Sequence, residues 1–271
     1  MFRRVGRLDD SLDVVSTGAG DSGGGRVMMD LGRLDLLQIT LIVRDLAAVE
    51  RAFESVLGLR VAYRDPSVDL WGLENIVLPM GTTFIEVLSP RRDDTAGGRH
   101  LERQGGDAGY MVILQTRDLA PWREWIGALG LRIAFEAETR DPDKGQDWSG
   151  IHLHPSDTGG MMISLDRPDP PESWAGAGPR WRDFICQDVV DGLVGIELRS
   201  PDPTRLSSRW GEVLGRSVDD RGRIALDRGT IGFRETLAGE IEGLSAIELR
   251  ATNRERVGGR VDLAGVEFRL V

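Results

Sequence analysis

Two short stretches of this sequence recur and decide how the chain is organised: VRDLA at residues 43–47 returns as TRDLA at 116–120, and LGLRVAY at 57–63 returns as LGLRIAF at 129–135. The offsets are 73 and 72 residues. Two matched segments separated by a nearly constant shift are typical of a duplicated structural unit. The sequence therefore predicts two copies of a module of about 70 residues.

Each copy has the same order of predicted elements. A run rich in β-forming residues, 37–43 or 110–116, precedes an aspartate placed to cap the next helix, Asp45 or Asp118. Apolar residues recur every three or four positions through the first helix, and Gly58 then ends it. Three strands follow, so the module is predicted to be β-α-β-β-β. The last two strands are predicted at 70–78 and 82–88 in the first copy, and at 151–154 and 161–166 in the second.

A third and a fourth copy are weaker. VLGRSV at 213–218 matches VLGLRV at 56–61, and IELR at 196–199 returns at 247–250 with too little chain after it for a helix. The predicted organisation is therefore two domains of paired modules, the second truncated. The predicted boundaries are a flexible N-terminal tail over 1–30, a first domain over 33–167 with modules 33–92 and 106–167, a Pro-rich linker over 168–190 and a reduced second domain over 191–271.

Paired β-α-β-β-β modules with an Asp-Leu helix cap resemble the vicinal oxygen chelate superfamily. That superfamily includes glyoxalase I, methylmalonyl-CoA epimerase, fosfomycin and bleomycin resistance proteins and extradiol dioxygenases. GGRHL at 97–101 and LHPSDTGG at 153–160 resemble the epimerase branch most. The resemblance implies an α+β fold in which tandem modules curl into half-barrels, and it says more about the fold than about the chemistry.

In that superfamily, the first and last strands of each module direct ligands at one divalent metal. The resemblance carries those four positions to Gln38, Glu86, Met111 and Ser164. A thioether and a hydroxyl do not replace the imidazole and carboxylate donors that such metals need. No cofactor is therefore expected. If a divalent metal is bound, Gln38, Glu86 and His152 are the expected ligands.

Without a metal, the same positions suggest acid–base chemistry. A carboxyl group on an inward strand face among apolar side chains is desolvated, which raises its pKa toward the range that a general base or acid needs. We predict Glu86 and His152 as catalytic residues, with His152 or His154 giving the complementary proton. Structural roles are the alternatives for two of these residues. Glu86 would then form a charge pair, and His154 would form a hydrogen bond that stabilises a turn. The predicted substrate-binding residues are Gln38, Met111, Ser164, Trp71, Trp148 and His154.

In the second domain, the positions equivalent to the four metal ligands of the superfamily are Gly195, Arg234, Ala246 and Arg269. These residues do not bind a metal cation. Alternation along the strands places Glu197 on the same face as Gly195, and Glu248 on the same face as Ala246. We predict a buried charge network of two arginines and two glutamates, with an anion site made by the two arginines as the alternative.

Three functions are open from the sequence. The first is a small-molecule enzyme, an isomerase or lyase that moves a proton next to a carbonyl of a small carbonyl, carboxylate or acyl-thioester substrate. The second is a metal-free ligand-binding or drug-sequestering protein of the bleomycin-resistance type. The third is an extradiol-dioxygenase-like protein, which the four-module length favours and the missing His, His, Glu triad disfavours.

The amino-acid composition limits the classes of binding partner. The chain has 44 acidic and 34 basic residues, a formal charge of −10, and a pI of about 4.9, which argues against binding of nucleic acid. The single cysteine, Cys186, forms no intramolecular disulfide, and no long apolar run or signal-peptide pattern is present. These features predict a cytoplasmic protein, a monomer or homodimer, whose partner is a small-molecule ligand or substrate and not nucleic acid or a membrane.

Overall fold

The first two modules form one mixed sheet. The computed structural model describes residues 3–4, 29–139 and 147–271, so almost all of the predicted tail lies outside the described residues. The strands of this sheet are β1 (Arg3–Arg4), β2 (Leu34–Ile42), β3 (Leu73–Met80), β4 (Thr83–Pro90), β5 (Ala108–Thr116), β6 (Ile133–Thr139), β7 (Asp147–Leu153) and β8 (Met162–Asp169). Their order across the sheet is β1-β6-β7-β8-β5-β2-β4-β3.

The pairing of the strands repeats from one module to the next. The first strands of the modules, β2 and β5, are antiparallel neighbours at the centre. Each also pairs in parallel with the last strand of its own module, so that β2 lies beside β4 and β5 beside β8. The predicted α+β fold of paired modules, with the first sheet curved as a half-barrel, is confirmed.

The helices begin and end where local chemistry places them. They are α1 (Leu46–Leu57), α2 (Ala96–Gln104), α3 (Ala120–Ala128), α4 (Pro155–Thr158) and α5 (Pro203–Leu214). The Asp45 side chain accepts a hydrogen bond from the Ala48 amide at 2.9 Å, which caps α1 as predicted. Gly58 follows α1 with φ of 67°, a left-handed conformation that favours glycine.

The first module departs from the predicted pattern at its second strand. The stretch after Gly58 makes a single isolated bridge, Tyr63 to Val77, in place of a full strand. The next predicted strand, 70–78, starts late because residues Pro66–Trp71 form a 3-10 helix. Proline at the start of that helix and the Asp65 side chain, which accepts from the Ser67 amide, stabilise the turn against an extended chain.

The last two modules form a second, smaller sheet. Its strands are β9 (Val190–Ser200), β10 (Ile224–Ala225), β11 (Thr230–Glu235), β12 (Gly243–Ala251), β13 (Arg260–Leu263) and β14 (Val266–Leu270), in the order β10-β11-β9-β12-β14-β13. Between β12 and β13 the chain has only a 3-10 turn at Arg254–Arg256. The fourth module is therefore truncated at its helix, as predicted.

One hydrophobic core joins the helices of the first half to the second sheet. Phe53 on α1 packs edge-on against Phe268 on β14, with ring centroids 5.5 Å apart. The indole N–H of Trp125 on α3 donates to the carbonyl oxygens of Glu212 and Val213 on α5 at 3.2 and 3.1 Å. Because this packing covers the helix-bearing face of the first sheet, the opposite, concave face is left for a site.

The charge cluster predicted in the second domain forms around Glu197. Arg269 donates two hydrogen bonds to the Glu197 carboxylate at 2.9 and 3.1 Å, and the Arg234 Nε lies 3.4 Å from it. Glu248 pairs with Arg223 instead, at 3.8 Å. Since carboxylates already neutralise Arg234 and Arg269, the arrangement favours the structural network over an anion site.

No helix in the described ranges combines the length and the apolar character needed to cross a membrane.

Candidate active site

The concave face of the first sheet collects polar side chains from its central strands. Side chains alternate between the two faces of a strand, so Gln38 and Thr40 on β2 point the same way. Thr40 lies opposite Glu86 on β4 and opposite Met111 on β5, while Ser164 on β8 pairs with Ile113 of β5. The structure thus places all four positions of the predicted metal quartet on the four central strands.

Glu86 lies at the centre of a hydrogen-bond cluster. Its Oε2 accepts from the Gln38 side-chain amide at 2.9 Å and from the Thr40 hydroxyl at 3.0 Å. Its Oε1 accepts from the side-chain amide of Asn75 at 2.6 Å. Only 9% of the residue's surface is exposed. The predicted neighbours Gln38 and Glu86 are therefore in direct contact, inside the protein.

The side-chain amides of Gln38 and Asn75, which donate to Glu86, cannot be flipped without losing hydrogen bonds. The Gln38 Oε1 accepts from the indole N–H of Trp174 at 2.7 Å, and the Asn75 Oδ1 accepts from the Asp65 backbone amide at 2.7 Å. An indole and a backbone N–H are donors only, so each fixes the amide oxygen toward itself and the NH₂ group toward Glu86. Hydrogen bonds to their oxygens thus fix the orientation of both side-chain amides that donate to Glu86.

Burial decides the acidity of Glu86. Removal from water raises the pKa of its carboxyl group, while the hydrogen bonds from Asn75, Thr40 and Gln38 lower it, and the raising effect is the larger. The predicted rise in the pKa of this carboxyl group agrees with the burial of Glu86.

A second buried carboxyl group, Asp166 on β8, lies on the same side of the sheet. Its Oδ1 accepts from the Ser164 hydroxyl, and its Oδ2 accepts from the indole N–H of Trp148 at 2.5 Å. Burial raises the pKa of Asp166 from 3.8 to about 7, and the nearby Glu86 charge adds to the rise. The protonation of the Asp166 carboxyl group therefore changes near neutral pH.

His152 lies on β7, directly opposite Ser164 on β8. Its ring stacks at a tilt on Phe135, with centroids 5.0 Å apart. Burial lowers the pKa of His152 to about 4, so the imidazole is neutral at pH 7. The prediction that His152 gives the complementary proton needs an imidazolium at neutral pH, and this environment disfavours one.

The other predicted binding residues have separate surroundings. Met111 packs in an apolar cluster with Phe84 and Trp174. Trp71 packs edge-on against Phe135 at 5.4 Å, where β6 approaches the segment before β3. The predicted binding residues Ser164 and Trp148 both bond to Asp166. His154 Nδ1 accepts from the Ser156 amide at 3.3 Å and caps α4, which is the turn role left open for it.

The chain between the two sheets covers this site. Trp174 and Trp181 pack against Phe84 of β4, with ring centroids 6.3 and 5.0 Å away. The Gln115 side-chain amide donates to the Pro171 carbonyl at 2.6 Å and fastens the same segment to β5. This linker therefore supplies part of the site, through the Trp174 bond to Gln38.

The residues present do not fit the divalent metal of the superfamily. The Gln38 oxygen already accepts from Trp174, both Glu86 oxygens face hydrogen-bond donors, and Met111 lies among apolar side chains. Over residues 29–139 and 147–271, no three His, Cys, Asp or Glu side chains come close enough together to hold a metal ion. The alternative ligand set named from the sequence, Gln38, Glu86 and His152, does not fit a divalent metal either.

Purified protein is accordingly expected to carry far less than one equivalent of Zn, Fe, Co, Ni or Mn by elemental analysis. Chelation by EDTA is expected to leave the thermal unfolding midpoint unchanged, because no ligand set ties a metal to the fold. A Gln38→His, Met111→His, Ser164→Glu variant, which restores the donor types of the superfamily, serves as the positive control for uptake. One tightly bound metal ion per wild-type chain would contradict this expectation.

Sequence reasoning missed four residues of the site: Thr40, Asn75, Asp166 and Trp174. Strand alternation from Ser164 was a sufficient signal for Asp166, which lies two positions further along the same face. Asn75 and Trp174 gave no local signal, since neither belongs to a repeated motif. Trp174 reaches Gln38 across 136 positions of sequence.

Paired modules, a half-barrel and a polar cluster on its inner strands define a protein of the vicinal oxygen chelate superfamily. The model of the glyoxalase-like domain family matches residues 39–214, and the chain belongs to that family.

Individual relatives share a low sequence identity with this chain. Mitochondrial methylmalonyl-CoA epimerase of Bos taurus is 26% identical over 163 residues, which are 59% of this chain and 90% of the relative. The crystal structure of a hypothetical protein from Staphylococcus aureus covers 88% of this chain and 98% of its own, with a TM-score of 0.66 and 12% identity. Methylmalonyl-CoA epimerase from Mycobacterium tuberculosis covers 49% of this chain and 87% of its own, with a TM-score of 0.42 and 22% identity. The Staphylococcus structure shares the fold.

Proposed function

We propose that the concave site moves a proton next to a carbonyl group of a small carbonyl, carboxylate or acyl-thioester substrate, as an isomerase or lyase. The observation that carries this proposal is the pair of buried carboxyl groups, Glu86 and Asp166, on one face of the sheet. Burial raises the pKa of both groups. Carboxyl groups with raised pKa values are suited to give and take protons near neutral pH.

The two carboxyl groups have different roles in this proposal. Glu86 is the base: its raised pKa makes the carboxylate a better proton acceptor, and three hydrogen-bond donors hold its orientation. Asp166 has a pKa of about 7, so a large share of it is protonated at neutral pH. A protonated carboxyl group in an apolar site donates a hydrogen bond to the enolate oxygen that forms when the base removes a proton. Neutral His152 is a polar contact for the substrate.

An acyl thioester is the substrate class with the most support. The bovine relative is by name a methylmalonyl-CoA epimerase, and the aligned region covers 90% of it. The carbon next to a thioester carbonyl carries an acidic proton, which is the kind of proton a buried carboxylate removes.

Proton exchange in D₂O tests the proposal directly. Methylmalonyl-CoA, propionyl-CoA and free methylmalonate are incubated with the protein, and deuterium at the carbon next to the carbonyl is followed by mass spectrometry. Exchange at least about 100-fold above the protein-free rate is expected for one thioester, in line with positioned acid–base catalysis. Absence of exchange with every compound would overturn the enzyme proposal.

The packing of the linker favours a second candidate, a metal-free ligand-binding protein. Trp174 and Trp181 pack against Phe84 over the concave face, so aromatic side chains border the site. Saturable binding of a thioester or an aromatic compound without proton exchange is the result that would favour this candidate. The extradiol-dioxygenase alternative has no support from the donor set around Gln38 and Glu86.

A further inference from the structure

An apolar cluster of side chains lies around Glu86 on the concave face. Val77 of β3 is the cross-strand partner of Glu86 on β4. Met111 of β5 is the partner of Thr40, whose hydroxyl donates to Glu86. Val77, Met111 and Phe84 are buried members of one hydrophobic cluster. The base of the proposed reaction therefore has apolar neighbours on the strands to either side of it.

The same apolar cluster extends to Asp166. Ile113 of β5, a member of the cluster, is the partner of Ser164 on β8, whose hydroxyl donates to Asp166. Trp148, whose indole N–H donates to Asp166, packs against the cluster, and so does the half-buried Met162 at the start of β8. A molecule that reaches the two carboxyl groups therefore meets apolar side chains next to both of them.

The hydrogen-bond partners of Glu86 and Asp166 are neutral groups. Over the described parts of the chain, these partners are the side-chain amides of Gln38 and Asn75, the hydroxyls of Thr40 and Ser164, and the indole of Trp148. A buried carboxylate is more often paired with arginine or lysine, whose charge offsets its own. The negative charge of Glu86 is therefore stabilised by neutral donors and not by a cation among the described residues.

The charges of the described residues that act on these two carboxyl groups are negative. Burial raises the pKa of Glu86, and the charge of Asp65 raises it further. Burial likewise raises the pKa of Asp166, and the charge of Glu86 raises it further. Burial lowers the pKa of His152 to about 4, so this imidazole adds no positive charge at pH 7. A carboxylate brought in by a ligand would therefore meet repulsion.

We propose that the concave site selects acyl thioesters whose acyl group carries no charge, such as a short branched alkyl acyl group, and discriminates against a methylmalonyl group. This inference rests on the proposed proton chemistry and names the acyl class within it. An alkyl group that packs beside Val77, Met111 and Ile113 is favoured by its removal from water. A carboxylate in the same place loses its hydration, and the described residues around it supply no cation in exchange.

The position of the additional charge makes the discrimination large. In a methylmalonyl thioester, the carboxylate is bonded to the same carbon whose proton Glu86 removes. It therefore lies roughly 4–6 Å from the Glu86 carboxylate, a range in which like charges strongly disfavour each other. Repulsion at this distance in a buried site is expected to weaken binding by at least about 100-fold.

Three thioesters that differ in one substituent test the inference. Next to the thioester carbonyl, isobutyryl-CoA carries two methyl groups, and methylmalonyl-CoA carries one methyl group and a carboxylate. In 2-methylacetoacetyl-CoA, a neutral acetyl group of nearly the same shape replaces the carboxylate, which separates charge from shape. Calorimetric titration of the full chain gives the affinity for each compound. Deuterium exchange in D₂O, divided by the protein-free rate of the same compound, gives each acceleration.

Both neutral thioesters are expected to bind at least about 100-fold more tightly than methylmalonyl-CoA, and the accelerations are expected to follow the same order. Binding of methylmalonyl-CoA as tight as that of isobutyryl-CoA would overturn the inference, and so would failure of both neutral thioesters to bind. Absence of exchange with all three compounds would overturn the proton chemistry, while the affinities still decide on the acyl class. The two failures are therefore distinguishable.

Met162→Lys adds a cation to the concave face and should shift the preference. Met162 lies two positions before Ser164 on the same face of β8 and pairs with Met111 of β5. The lysine is expected to tighten binding of methylmalonyl-CoA at least about 10-fold relative to isobutyryl-CoA. Met162→Gln, which is polar but neutral, is expected to keep the wild-type ratio. An unchanged ratio in a folded Met162→Lys protein would overturn the inference; if this variant does not fold, the three thioesters decide with the wild type.

Discussion

Replacement of Glu86 by glutamine is expected to lower the rate of thioester proton exchange by about 1,000-fold, within the range of about 10²–10⁴ for a positioned base. Glutamine has nearly the shape of glutamate but does not accept a proton at neutral pH. The effect should fall on kcat and leave KM nearly unchanged, because Glu86 takes part in the proton transfer. A variant that keeps its exchange rate would remove Glu86 from the mechanism.

The same change is expected to cost stability, for a reason that the hydrogen bonds make specific. The glutamine NH₂ group would face either the amide of Asn75 or that of Gln38, and both are donors held in place by Asp65 and Trp174. A donor facing a donor leaves buried groups unpaired, at about 1–3 kcal/mol. Urea unfolding of the single variant measures this loss.

A double variant, Glu86→Gln with Gln38→Glu, separates catalysis from stability. The new carboxylate on β2 accepts from the indole of Trp174 and from the new glutamine amide, whose oxygen accepts from Asn75. One buried negative charge and the hydrogen bonds between these groups are kept, so most of the lost stability should return. The exchange rate should stay low, because the base has moved to another strand. Recovery of the rate would mean that the position of the carboxylate within the cluster is unimportant.

The parts of the fold that follow from local chemistry were predictable. The repeated Asp-Leu step marks the start of α1, and Gly58 marks its end, since both are set by residues within one turn of the helix. The second strand of the first module was the error. Its sequence repeats that of the second module, yet it makes only the bridge from Tyr63 to Val77. The residues that would extend this pairing instead form the 3-10 helix that begins at Pro66.

The site was predictable only as far as strand alternation reaches. Gln38 and Glu86 follow from the repeat and the resemblance, and Asp166 follows from the period of two. Trp174, which fixes the Gln38 amide, comes from a linker whose contacts join residues far apart in sequence. The neutral state of His152 depends on how deeply the ring is buried. Neither long-range contact nor depth of burial is encoded in a local pattern.

Asp166 links the candidate site to the stability of the fold. Its pKa is about 7 in the folded protein and near the ordinary 3.8 in the unfolded chain. The native state therefore binds more protons between these values, and the stabilising contribution of the protonated group, complete below about pH 4, is lost as the pH rises through about 7. The difference of about three pKa units corresponds to about 4 kcal/mol. His152 acts in the opposite direction, since its lowered pKa of about 4 removes stability as the pH falls.

Asp166→Asn isolates this contribution and tests the acid of the proposed mechanism at once. The asparagine oxygen can accept from Trp148, and its NH₂ can donate to the Ser164 hydroxyl oxygen, so each partner keeps a hydrogen bond to residue 166. Relative to the wild type, the free energy of unfolding should rise by about 4 kcal/mol between pH 4 and pH 8, since only the wild type must ionise a buried group. The exchange rate should fall by about 100-fold and lose its dependence on pH near 7. Because His152 titrates in both proteins, it cancels in the comparison. A stability difference that does not change with pH would show that Asp166 is an ordinary carboxylate, and the mechanism would lose its acid.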